Sequence, residues 1–84
     1  MMTKPRLKAK LQEGKVYVAW TPTPGEDDDE GNFTLKTDLI PEEKRRPNPP
    51  SAAGRMGAFD LDAGRWHPLG IPVTKVITAE LVEE

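Results

Sequence analysis

The chain has 84 residues, 36% of them hydrophobic, with nine prolines, seven glycines, no cysteine and a formal net charge of −2. That length holds one domain with a small core and roughly 4–13 kcal/mol of stability, and the lack of cysteine excludes disulfide staples and thiolate metal sites. Lys4, Arg6, Lys8 and Lys10 interrupt the N-terminus and no window nears the roughly 20 apolar residues of a membrane span, so a soluble, cytoplasmic protein without a signal peptide or membrane contact is expected.

Residues 4–13 predict a short helix, with Leu7 and Leu11 on one face, Thr3 as N-cap, Pro5 in the first turn and Gly14 as a left-handed C-terminal stop. Val16, Val18 and Trp20 alternate with Tyr17 and Ala19, the period of a half-buried strand. Residues 21–31 then form a proline-rich, acidic loop in which Glu26, Asp27, Asp28, Asp29 and Glu30 repel one another, and alternation resumes over Asn32–Thr37 with Phe33 and Leu35 inward. Residues 41–54, rich in proline, arginine and small residues, carry no apolar period and read as a second long loop. Arg55–Leu61 and Arg65–Leu69 predict a tight hairpin around Asp62-Ala63-Gly64, with Gly64 at positive φ. Pro68 and Pro72 keep its second strand short. Gly70–Val73 suits a 3₁₀ turn, and Lys75–Val82 is the last strand, with Val76, Thr78, Glu80 and Val82 opposite Ile77, Ala79 and Leu81.

Five short strands, one long-looped hairpin, one tight hairpin and a brief turn before the last strand lay out a mainly β, five-stranded SH3-like or Sm-like small barrel with a short N-terminal helix. An OB-type barrel is the alternative. In the barrel reading Trp20, Phe33, Phe59 and Trp66 line one closed core.

Charge falls in blocks: +4 over residues 1–20, −7 over 21–43, +4 over 44–55 and −3 over the remainder. Such blocks are usually solvated loops and faces; the functional alternative is a bipolar surface that steers a charged partner. Catalysis has little to draw on, since His67 is the single histidine and no nucleophile motif accompanies it. The acidic run lacks the alternating ligands, central glycine and closing glutamate of a calcium loop, so neither a metal nor a cofactor is expected. The charged loops point to binding of a protein partner, with Glu26, Asp27, Asp28, Asp29 and Glu30 as one contact surface and Lys44, Arg45, Arg46 and Arg55 as another. A second reading is single-stranded nucleic-acid binding, through Tyr17, Trp66, Arg45, Arg46, Arg55 and Arg65. A third, a structural or assembly component, requires a self-complementary face that the pattern does not display.

Leu7 through Val18, Thr37-Asp38-Leu39-Ile40-Pro41 and Phe59-Asp60-Leu61-Asp62-Ala63-Gly64-Arg65-Trp66 resemble a family of small, mostly phage-borne proteins with an Sm-like or SH3-like barrel, distantly related to the WYL ligand-sensing domains. The resemblance implies the fold and a phage or prophage origin and no settled activity; taken with the charged loops, it makes a host protein the expected partner. Relatives carry a basic glycine turn between the first two strands and an Arg-Ser-Phe continuation after the tryptophan. Glu26–Glu30 and His67-Pro68-Leu69 stand in those places here, and the basic turn that would meet phosphate is gone.

Overall fold

Thr3 caps the N-terminal helix α1 (Lys4–Glu13) by accepting a hydrogen bond from the Arg6 N–H (3.4 Å), with proline in the first turn. The computed structural model describes residues 2–21, 25, 27–46, 54–68 and 70–82. Gly14 is not the left-handed stop that the sequence suggests: its backbone is extended, at φ 160° and ψ −147°. The helix ends against tertiary structure instead. The Thr34 hydroxyl donates to the Gly14 carbonyl (2.8 Å), with the Leu11 carbonyl also in reach (3.3 Å), and the Leu35 N–H donates to Leu11 (2.9 Å). Carbonyls that α1 cannot satisfy internally are thus taken by the chain leaving the sheet.

Among the described residues seven strands follow: β1 (Val16–Trp20), β2 (Asp29–Thr34), β3 (Arg55–Met56), β4 (Phe59–Asp60), β5 (Arg65–Trp66), β6 (Ile71–Pro72) and β7 (Val76–Leu81). Five make an antiparallel sheet in the order β5-β4-β2-β1-β7, and β3 pairs with β6 in a separate two-stranded ladder. The fold is therefore a small mainly β domain with one helix on an open five-stranded sheet. The expected closed barrel is not formed, because β5 and β7 remain the two edges.

The register explains why. Val16 pairs with Phe33, which places Val16, Val18, Trp20 and Phe33 on one face. Phe33 lies opposite Asp60 while Thr34 lies opposite Phe59, so the phenylalanines of neighbouring strands face opposite ways. Phe33 and Trp20 join Leu7, Leu11, Val16, Val18, Ala58, Ile71 and Val73 in the main core. Phe59 is just as buried but outside that cluster, with the ring of Trp66 edge-on at 5.6 Å. Here the chain between two 3₁₀ turns (Thr37–Leu39 and Glu42–Lys44) returns to the sheet: the Trp66 Nε1–H donates to the Lys44 carbonyl (2.6 Å), and the Arg45 Nε–H to Ile40 (3.0 Å). Four rings shared between two faces cannot line one barrel interior.

Several element boundaries differ from those expected. β2 begins at Asp29 instead of Asn32, because β1 keeps its partner up to Trp20. The strand expected over Arg55–Leu61 divides at Gly57-Ala58, its first half pairing with Ile71–Pro72, so the 3₁₀ turn follows at Val73–Lys75. A bulge between Ala19 and Trp20 sets Val76 opposite Trp20 and Thr78 opposite Ala19, which puts Val76 on the core side while Thr78 and Glu80 face out. The hairpin turn comprises Leu61–Gly64, with Gly64 at φ 71° as expected and its N–H on the Asp60 carbonyl (2.8 Å). Among the described residues no helix is long and apolar enough to cross a membrane.

Candidate recognition surface

The β1 side chains that turn away from the core are Tyr17 and Ala19. Across the ladders, Tyr17 lies between Asn32 and Glu80, and Ala19 between Glu30 and Thr78. None of these six positions carries a cation. The Tyr17 hydroxyl donates to the Glu30 carboxylate, which with burial and the nearby Glu80 charge holds the phenol above its ordinary value of 10.0. Asn32 continues the row: its backbone N–H donates to Asp62 Oδ2 (3.0 Å), and its side-chain amide also reaches that carboxylate. An aromatic ring thus stands on an open sheet face between two carboxylates, beside the small floor of Ala19.

The acidic block contributes to this surface from a strand. Glu30 belongs to β2 and shares Tyr17's face, Asp29 opposite Trp20 faces the other way, and Asp28 accepts a bond from the Thr21 hydroxyl (2.7 Å) just beyond β1. Asp27 is exposed, and Glu26 lies outside the described residues. Glu80 was missed from the sequence because the bulge that sets its facing is invisible there.

The basic candidates do not assemble in the same way. Lys44 and Arg45 sit on the 3₁₀ segment, bound to Trp66 and Ile40 through a carbonyl and a guanidinium respectively, and Arg46 is exposed beside them. Arg55 belongs to the other ladder, where its Nη1 donates to the Gly70 carbonyl (3.0 Å). Gly70 is at φ 79°, and a Cβ there would come within 3.1 Å of the Met56 carbonyl oxygen, so this strand crossing is tight. Arg65 is exposed, opposite Asp60 across the hairpin. Of the residues suited to stacking bases, Trp66 is engaged by Phe59 and Lys44, and Tyr17 is flanked by carboxylates. The nucleic-acid candidates are therefore dispersed, and their best aromatic platform would repel phosphate.

His67 is half-buried against the core, its ring 5.7 Å from Trp20 and 5.9 Å from Phe33. Its Nδ1 is buried with no hydrogen-bond partner among the described residues. Burial pushes the imidazole below its ordinary value of 6.5; Asp60 and Asp29 oppose that shift, and Arg55 and Arg65 add to it. Because the unfolded chain takes up this proton more readily than the folded one, stability rises with pH through the imidazole range and falls on acidification below about 6.5. Denaturant unfolding at pH 7.5 and 5.5 should show that loss, and His67→Phe should flatten it. An unchanged pH slope in the variant would contradict it.

An open-sided groove of about 370 Å³ lies between Lys15, Leu39, Leu61 and Val82. Among the described residues no group of three or more metal-ligating side chains is gathered. Compared with family models, with curated proteins and with solved structures, the chain matches none. Fold and surface together define a small mainly β domain whose open sheet displays an acidic, tyrosine-centred face.

Proposed function

We propose that this chain is a non-enzymatic binding module, an accessory protein of phage origin that engages, and inhibits, a host protein through the outer face of its sheet. The observation that carries this reading is the Tyr17 ring beside the carboxylates of Glu30 and Glu80 on the outer face of the sheet. Its partner is a protein segment bearing arginine or lysine, whose cation would lie over the ring while pairing with a carboxylate. The strand order β5-β4-β2-β1-β7, with a 3₁₀ turn leading into the last strand, supports an SH3-like or Sm-like topology in open form. The phage origin rests on the sequence resemblance alone.

Both charged side chains are exposed, so Glu30→Gln with Glu80→Gln should leave the melting temperature nearly unchanged. Capture from host lysate at low salt should recover one or more basic proteins with the wild type, and association of a recovered partner should slow about tenfold or more in the double variant. No protein captured, or equal association rates, would reject the reading. Retention of nucleic acid by the wild type, abolished by nuclease, would favour the second reading instead.

A further inference from the structure

The third class, assembly, lacked a self-complementary face in sequence, but the edge strand β7 supplies one. The Val82 N–H donates to the Lys15 carbonyl (2.8 Å), which sets the phase of the β1–β7 ladder: Glu80 and Thr78 bond inward, while Ala79 and Leu81 direct their backbone groups away from β1. The Lys10 ammonium confirms that direction, reaching the Ala79 carbonyl from α1 at 2.9 Å. On this strand lie Ile77, 58% exposed, and Leu81, 43% exposed. They are the two residues equidistant from Ala79.

We propose that β7 pairs antiparallel with β7 of a second copy of this chain, about a twofold axis at Ala79, joining two five-stranded sheets into one of ten strands. In that register Ile77 of each copy faces Leu81 of the other, so both exposed apolar side chains find an apolar partner. Glu80 faces Thr78 of the other copy, which avoids carboxylate against carboxylate. A carbonyl has two lone pairs, so Ala79 can accept the new strand bond beside Lys10. The opposite edge offers no equivalent, since β5 has two residues and Pro68 follows shortly after. Pairing is therefore closed at two copies. Its ladder of five residues per copy lies at the small end of specific interfaces, so dissociation in roughly the tens of micromolar is expected.

The test is sedimentation equilibrium of the full chain up to about 500 µM, a concentration at which such a dimer would dominate. The wild type should approach twice the monomer mass. Ile77→Lys alone and Leu81→Glu alone should each weaken association about tenfold or more, whereas Ile77→Lys with Leu81→Glu should restore it, because each lysine would then face a glutamate of the other copy. Ile77 is mostly exposed, so its variant folds whatever happens at Leu81, and circular dichroism checks the others. A monomeric wild type, a folded double variant that stays monomeric, or assemblies larger than two would each overturn the proposal.

Discussion

Phe33→Ala is expected to lower the unfolding free energy by about 3–5 kcal/mol, the usual cost of removing a buried phenyl ring. For a domain with roughly 4–13 kcal/mol in all, that leaves a large unfolded fraction at 37 °C. Phe33 is 1% exposed, meets Trp20 at 5.7 Å and His67 at 5.9 Å, and lies over Gly31, where a Cβ would come within 3.1 Å of the ring. Glycine at 31 and phenylalanine at 33 are thus one arrangement, in which the missing Cβ makes room for the ring. Urea unfolding followed by tryptophan fluorescence measures the loss. A change below about 1 kcal/mol would mean that the core is not built around this ring.

Thr34→Val is the second large effect, at about 2–3 kcal/mol despite the near-identical shape of the two side chains. Thr34 is fully buried, and its hydroxyl donates to the Gly14 carbonyl while accepting from the Lys36 N–H (3.0 Å). Valine leaves both without that partner in the interior. Since a ten-residue helix has little stability alone, the damage should spread into α1. Amide exchange should accelerate throughout Lys4–Glu13 more than in β1, and equal acceleration in both would argue that Thr34 only fills space.

Much of the local structure could be read directly. Strand β1 and helix α1 occur where alternation and i, i+4 spacing place them, and Gly64 takes the positive φ that its turn demands. The candidate surface was legible only in its acids. Glu30 was singled out for charge, but its role beside Tyr17 depends on a register extending β2 three residues toward the N-terminus. The basic cluster Lys44, Arg45, Arg46 and Arg55 read as one surface because those residues are near in sequence; the fold assigns Arg55 to a different ladder from the segment bound at Trp66.

By itself the sequence determined what depends on short-range chemistry: a β-rich domain, a capped helix, a glycine turn and an inventory of apolar residues large enough for a small core. Tertiary structure decided the facing of each strand, since a one-residue shift or a bulge reverses a side chain without altering any local preference. That is how Phe59 and Glu80 both came to lie on the face opposite Phe33 and Trp20, and why four aromatic rings divided between two faces leave the sheet open at β7.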